Sequence, residues 1–385
     1  MKIVQIVASI EAEASGPSYS VLQLARAMEK IGREVELFSL GGPIDTSDGK
    51  FRNRKFNRDY ERFGHLKKLG LSSKMRKGLV EVAAGAEVLH THGLWMMPNV
   101  YPARVAKAFK VPFVVSPRGM LSPAALEYSR AVKSVFWIIA QRSALKAANL
   151  IHATSEQEYE DIRAFGLRQP VVILPNGVGV SHPQRSELPC CDGERSAVVL
   201  YLGRLHPIKR IETLLKAWAQ LEDLFPNWTL EIRGPGEPNY VKKLKQEAVE
   251  HGLKRCIFGD PVYGEKKYEL YRRAAVSVLP SASENFAMTV AESLASATPV
   301  ITTKATPWRG LETHRCGWWV DPGVEPLKHA LHAALTSGMI ELHEMGTRGQ
   351  HWMIRDFAWS GIAERMIEAY SWLRGRGSPP PTVIL

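Results

Sequence analysis

Twelve short runs rich in Val, Ile and Leu punctuate the chain, and longer segments of helical periodicity separate them. In the first half they are Ile3–Ser9, Glu34–Leu40, Glu87–His92, Pro112–Ser116, Leu150–Thr154 and Val171–Leu174. In the second half they are Ala197–Gly203, Trp228–Gly234, Arg255–Phe258, Ala275–Pro280, Pro299–Thr302 and Trp318–Val320. Continuous apolar runs bounded by turn residues are the pattern of strands covered on both faces, hence of parallel sheets sandwiched by helices. The segment Gly16–Ile31 fits an intervening helix, with Pro17 in its first turn, Val21, Leu24, Ala25 and Met28 on one face, and Gly32 at its end. The fold class expected is α/β.

At 385 residues the chain is too long for one hydrophobic core, so two domains are expected. The periodicity fails at Ser181–Ser196, a polar, charged stretch with two prolines, which marks the boundary. The expected parts are residues 1–182, residues 195–355 and a terminal amphipathic helix within residues 356–374. That helix carries Phe357, Ile362, Met366, Tyr370 and Leu373 as its stripe, and the final GSPPPTVIL is expected to be loose. No apolar run reaches the roughly 18–20 residues of a bilayer-spanning helix. Cys190, Cys191, Cys256 and Cys316 form no C-x-x-C pair and no disulfide framework, which fits a reducing, cytoplasmic compartment. Lys2 and Ala12-Glu13-Ala14 faintly imitate a signal peptide, but Gln5, Glu11 and Glu13 interrupt it and a first buried strand is the better reading.

Doubly wound sheets bind ligands at the carboxyl ends of their strands, where helix N-termini favour anions. Arg204 and Lys209 follow the strand ending at Gly203, a junction where two cations can neutralise a diphosphate without metal, or can simply be surface charges. Glu284 follows the strand Ala275–Pro280, and Glu292 falls in the first turns of the next helix. A carboxylate there can accept the hydroxyls of a ribose diol, while the N–H groups of Asn285, Phe286, Ala287 and Met288 open at a helix N-terminus. Glu292 could otherwise serve only its helix, worth about 0.3–1 kcal/mol.

These segments resemble the retaining family 4 glycosyltransferases of GT-B fold. The residues that carry the resemblance are Gly203-Arg204 with Lys209, Gly234-Pro235-Gly236-Glu237, Pro280-Ser281 with Glu284-Asn285-Phe286 and Glu292, and Pro299-Val300. Gly16-Pro17, His90-Thr91-His92-Gly93, Thr154-Ser155-Glu156, Leu174-Pro175-Asn176-Gly177 and a helix after Phe357 extend it over nearly the whole chain. It implies two doubly wound Rossmann-like domains facing across a cleft, with the C-terminal helix returning to the N-terminal domain. It also implies transfer of a sugar from a nucleotide-sugar donor with retention and no cofactor or required metal. Arg204 and Lys209 would stabilise the departing diphosphate, Glu284 would face the donor sugar or diphosphate, and Glu292 would hold the ribose. Gly203 and Gly234 belong to the donor loops, and Gly16 would let a first-domain loop approach the phosphates. The loop after Trp228–Gly234 and Pro261-Val262 would meet the base.

Two positions depart from the family pattern. Arg118 stands where many relatives carry a His, and an always-charged Arg is no general base, though it could orient donor or acceptor or bind a phosphate. Ala287 stands where a Gly is usual and is expected to resist a positive φ. His90 and His92 share a strand face but lack a third metal-ligating neighbour, so a site lining the acceptor or a structural role is expected rather than a metal. Trp95 could stack on a sugar or belong to the core.

The formal charge of +11 is local: Lys50–Lys77 holds eleven Lys and Arg against Asp59 and Glu61, a net of +9. Phe56, Tyr60 and Phe63 recur in it at helical spacing, which suits an anionic membrane surface, a solvated loop or nucleic acid. The function expected is therefore a peripheral membrane hexosyltransferase acting on a lipid-linked or polysaccharide-precursor acceptor, as in lipopolysaccharide biosynthesis, with no nucleic-acid partner. The rivals are a nucleotide-sugar epimerase of GT-B fold and a non-catalytic nucleic-acid-binding protein on the same scaffold.

Overall fold

The computed structural model describes residues 1–10, 16–41, 52–62, 64–179 and 196–385. It divides into two compact units, Met1–Gly177 with Trp359–Leu385, and Val178–Ala358. The expected boundary at Ser181–Ser196, apart from Ser196 itself, lies outside the described residues, as do Cys190 and Cys191. Among the described residues no helix is long and apolar enough to cross a membrane.

The first unit is built on β1 (Lys2–Ser9), β2 (Glu34–Leu40), β3 (Arg52–Phe56), β4 (Val88–His92), β5 (Phe113–Ser116), β6 (Leu150–Ala153) and β7 (Val171–Ile173). The second holds β8 (Ser196–Leu202), β9 (Thr229–Arg233), β10 (Cys256–Gly259), β11 (Ala274–Leu279), β12 (Val300–Thr303) and β13 (Gly317–Val320). A last strand, β14 (Val383–Ile384), returns to the first unit. The sheet orders are β14-β7-β6-β5-β4-β1-β2-β3 and β10-β9-β8-β11-β12-β13. All pairings are parallel except β14 on β7. Each sheet thus reverses its winding at its centre, between β1 and β4 in one and between β8 and β11 in the other, which is where doubly wound sheets leave room for a ligand.

All twelve apolar runs are strands, and the central ones are buried along nearly their whole length, as β4, β5, β11 and β12 show. Two strands carry no such signal. The basic run Arg52–Phe56 pairs with β2 at the sheet edge, so Phe56 does not continue a helix with Tyr60: its ring packs 5.1 Å from Phe38. Phe63, Lys50 and Phe51 lie outside the described residues. The tail is not loose either, because the Ile173 N–H donates to Thr382 O at 2.9 Å and Val383 is buried.

The C-terminal amphipathic stretch is two helices, Met339–Phe357 and Trp359–Leu373, broken where Ala358 takes an extended conformation. Phe357 therefore packs in the second unit, against Phe286 and Trp308, while Ile362, Met366 and Tyr370 enter the core of the first beside Val7, Leu24 and Met28. Gly177 makes this return possible, since a Cβ there would lie 2.4 Å from the Trp359 indole. We expect Gly177→Ala to cost about 1–3 kcal/mol by overpacking. Trimming the indole with Trp359→Leu should recover part of that loss in a double-mutant cycle of denaturant unfolding. Simple additivity of the two changes would contradict the contact.

Candidate functional site

In the second unit the loops leaving β8 and β11 are stitched together. Ala282 N–H donates to Ile208 O at 2.8 Å, and Glu284 N–H ties the second loop to the turn after β12 by donating to Ala305 O at 3.1 Å. Lys209 Nζ is ion-paired with Glu284 Oε1, which also accepts from Ser281 Oγ at 2.6 Å. Arg204 is exposed, and its guanidinium makes no hydrogen bond or ion pair among the described residues; its carbonyl accepts from the Tyr201 hydroxyl at 2.9 Å. Of the two cations, one is therefore held by a carboxylate and the other is available to an incoming anion.

Packing demands glycine at one position here and leaves it optional at another. A Cβ on Gly234, whose φ is +150°, would fall 1.9 Å from the Gly203 carbonyl oxygen, so the crossing of the two loops excludes any side chain. At Gly203 a Cβ would meet only ordinary contacts, 3.5 Å from Tyr201 Oη. The protein leaves that surface bare without needing to, as a close ligand would require.

The loop from Glu284 runs into the helix Met288–Ala295. The Phe286 side chain is core, tilted 5.2 Å from Trp308, whose Nε1 donates to Phe286 O at 2.5 Å, so only its backbone can serve a ligand. Ala287 corrects the sequence-based expectation: it adopts φ 62°, ψ 70° at the start of the helix, accepting the strain that a glycine would avoid. Glu292 is 4% exposed and accepts from Lys267 Nζ at 2.6 Å through one oxygen, leaving its second oxygen without a hydrogen bond among the described residues. Burial raises its pKa, and the Lys267 cation opposes that shift. Lys267, from the helix Glu265–Arg273, went unnoticed in the sequence because nothing in the spacing links it to Glu292.

The first unit places His92, Trp95 and Arg118 at the carboxyl ends of β4 and β5. His92 is buried within a chain of hydrogen bonds whose direction is fixed by its ends. His152 Nε2 is 2.8 Å from Leu174 O, which can only accept, so that nitrogen is protonated and Nδ1 is bare. Ser116 Oγ donates to that Nδ1 at 2.7 Å and accepts from His90 Nε2 at 2.7 Å. Bare His90 Nδ1 takes the Tyr370 hydroxyl proton at 2.5 Å, and Tyr370 Oη accepts from Gln5 Nε2 at 3.2 Å. Gln5 Oε1 accepts from His92 Nε2 at 2.5 Å, and His92 Nδ1 accepts from Arg118 Nη2 at 3.0 Å. Every ring nitrogen is engaged, and all three imidazoles are neutral.

Burial, reinforced by the neighbouring histidines and Arg118, lowers the pKa of His90 and His92 well below the ordinary histidine value. Burial and Arg118 bring His152 to about 3. Arg118 itself, lowered to about 10 chiefly by burial, stays cationic and also donates to Asn176 Oδ1, while its buried Nε has no partner. Glu158 fixes the turn beside it by accepting from Gly119 N–H at 2.6 Å and from Thr154 N–H at 2.7 Å.

Backbone strain marks the same loops. Among the described residues other than glycine, Trp95, Lys110, Arg118, Ser129, Arg210, Ala287, Ala297 and Arg315 have positive φ. Lys110 caps a helix C-terminus and Ser129 a helix N-terminus, while Ala297 and Arg315 follow helix C-termini. Arg210 and Ala287 also cap helix N-termini, and with Trp95 and Arg118 they lie in the loops that follow β8, β11, β4 and β5, at the ligand-binding edge of a doubly wound sheet. Trp95 is half-buried, its N–H donating to Gln141 Oε1 at 2.9 Å. Gly16 opens the helix Gly16–Lys30 rather than lying in a loop, and residues 11–15 before it fall outside the described residues.

Two outcomes follow from these geometries. Ala287→Gly relieves the left-handed strain, offset by glycine's entropy, and should raise stability by about 0.5–1 kcal/mol in thermal unfolding; a loss would contradict the strain. The histidines carry folded pKa values below their unfolded ones, so their stability is complete above about pH 6.5 and declines as pH falls below it. Each contributes a slope of about 1.4 kcal/mol per pH unit. Denaturation midpoints should fall steeply between about pH 6 and 5, before carboxylates titrate; a flat profile there would contradict three neutral buried imidazoles.

Two family models match the chain: one described as Glycosyl transferase 4-like domain over residues 15–177, and one described as Glycosyl transferases group 1 over residues 192–352. D-inositol 3-phosphate glycosyltransferase of Xylanimonas cellulosilytica is 26% identical over 394 residues, covering 93% of this chain and 92% of its own. The enzyme of the same name from Nocardia farcinica is 27% identical over 310 residues, and the match spans 73% of this chain and 62% of that one. Among solved structures, Anabaena HepE in complex with UDP and glucose superposes with a TM-score of 0.74 at 21% identity, covering 97% of this chain and all of that one. The chain therefore belongs to the glycosyl transferases group 1 family and is a glycosyltransferase of GT-B fold.

Proposed function

We propose that the protein transfers a hexosyl group, with retention and without metal, from a nucleotide-sugar donor to a lipid-linked or polysaccharide-precursor acceptor on the cytoplasmic side of a membrane. The observation that carries the donor reading is the exposed Arg204, without a hydrogen bond or ion pair to its guanidinium among the described residues, beside the Lys209–Glu284 pair at the winding reversal of the second sheet. A diphosphate arriving there meets Arg204 first and draws Lys209 away from Glu284, so charge developing on the leaving group is balanced by two cations. Donors placed in this way are worth about 2.7–4 kcal/mol each where the charge forms. The carboxylate of Glu284 is then released toward the sugar, and the free oxygen of Glu292 takes the ribose diol. HepE has been solved with UDP-glucose, which supports a UDP-sugar as the donor class.

On the acceptor side, Arg118 supplies a cation with an unsatisfied Nε, held in place by a chain that reaches Tyr370. It suits an acceptor bearing phosphate, whether lipid diphosphate or sugar phosphate. Relatives include a mannosylfructose-phosphate synthase from Agrobacterium fabrum, 27% identical over 58% of this chain. The cations of Lys50–Lys77 would add attraction to an anionic surface; Lys67, Lys68, Lys74, Arg76 and Lys77 are exposed there, while Arg54 is bound to Glu81 at 3.1 Å.

Thermal shifts with UDP, GDP and ADP test the donor reading. A diphosphate should raise the melting temperature, and Arg204→Ala or Glu292→Ala should weaken its binding about 10- to 100-fold, the scale of a charged hydrogen bond. No nucleotide effect on the unmodified protein would overturn the proposal.

A further inference from the structure

One surface of the first unit has no explanation in the fold or in the donor chemistry. Residues Arg130–Lys146 form one continuous helical rod, made of an α-segment Arg130–Phe136, a π turn Trp137–Gln141 and an α-segment Arg142–Lys146. Phe136, Ala140, Gln141, Ala144 and Leu145 face inward. The π turn spends one extra residue, so Ala140 and Gln141 are both buried and Gln141 reaches the Trp95 N–H. The same turn leaves Ile138 and Ile139 side by side outside, 77% and 73% exposed, in line with Val132 and Val135 and next to Tyr128. Val and Ile are middling helix formers, so an exposed helix gains nothing from four of them.

Along the rod itself the charge has one sign. No acidic residue occurs between Glu127 and Glu156, whereas Arg130, Lys133, Arg142 and Lys146 do. Lys133 is occupied, donating to Ala125 O and lying 5.7 Å over the Tyr128 ring. Arg130, Arg142 and Lys146 are exposed, with no ion pair among the described residues. The result is an apolar stripe bordered by cations at both ends of the rod.

We propose that the face formed by Tyr128, Val132, Val135, Ile138 and Ile139 inserts into an anionic lipid surface, with Arg130, Arg142 and Lys146 meeting the headgroups. The inference rests on the reading that the acceptor is held at a membrane, and it adds an inserting surface to the diffuse attraction of Lys50–Lys77. Long cationic side chains keep their heads in the polar layer while the stripe enters the acyl boundary. Charge separates this occupant from a second copy of the chain. A twofold contact through this face would set its four cations against the same four, which is unfavourable, whereas an anionic leaflet complements them.

Flotation of the full chain with vesicles tests this. The unmodified protein should float with vesicles containing phosphatidylglycerol and far less with pure phosphatidylcholine. Ile138→Ser with Ile139→Ser should weaken that binding about tenfold or more, and Arg130→Gln with Arg142→Gln and Lys146→Gln should reduce its salt-sensitive part. Both variants should keep the UDP-induced thermal shift, showing that the fold and donor site are intact. Binding to vesicles without any UDP shift would sink the donor reading and leave this one standing. Failure of the unmodified protein to float, unchanged flotation of the Ile138→Ser/Ile139→Ser variant, or a dimer in gel filtration that this variant dissolves would overturn the proposal.

Discussion

In each sheet the connections leave the first strand in one direction and the fourth in the other, so the loops following those two strands part at the carboxyl edge. The placement of the candidate site residues in both units hangs on that divergence. After β8 and β11 it brings Lys209 against Glu284 and leaves the Arg204 guanidinium without a partner among the described residues; after β4, and β5 beside it, it brings Trp95 and Arg118 to adjoining turns. The loops are not relaxed: Trp95, Arg118, Arg210 and Ala287 sit at positive φ, and Gly234 crosses so close to Gly203 that no side chain fits. Burial of the parallel strands below supplies the stability that such strain consumes.

The two units use charge in opposite ways. The second pairs Lys209 with Glu284 and Lys267 with Glu292 and leaves Arg204 without an ion pair among the described residues. The first gives Arg118 no carboxylate within ion-pair distance among the described residues, Glu158 acting on its charge from further away, and holds it by neutral dipoles, a chain running through His92, Gln5, Tyr370, His90, Ser116 and His152 to a backbone carbonyl. A neutral chain orients a cation without cancelling it. Tyr370, 365 residues from Gln5, makes the C-terminal helix part of that support, which gives its return a role beyond covering the sheet.

Much of this was legible in the sequence, for identifiable reasons. Buried parallel strands must be apolar throughout, so all twelve runs announced themselves. The strand Arg52–Phe56 did not, because an edge strand takes its hydrogen bonds from one neighbour and tolerates charged side chains. The short antiparallel β14 was hidden behind three prolines. Arg204, Lys209, Glu284 and Glu292 stood out because they are charged residues at strand-to-helix junctions. The contacts of Gln5, Asn176, Lys267 and Tyr370 did not, although Asn176 stood in a family motif and Tyr370 in a helix stripe, since their partners lie tens to hundreds of residues away and no local spacing records the contact. The exposed stripe of the Arg130–Lys146 rod was equally silent: its isoleucines and valines look like core until a π turn shows which side they face.

Where a nucleoside diphosphate binds decides whether the loops after β8 and β11 form the donor site. Amide hydrogen exchange of the full chain with and without UDP measures this directly. Slowed exchange confined to residues 203–210 and 281–288, with the helix Met288–Ala295 following, is the predicted result. Protection elsewhere with these loops unchanged, or no protection at saturating UDP, GDP and ADP, would contradict it.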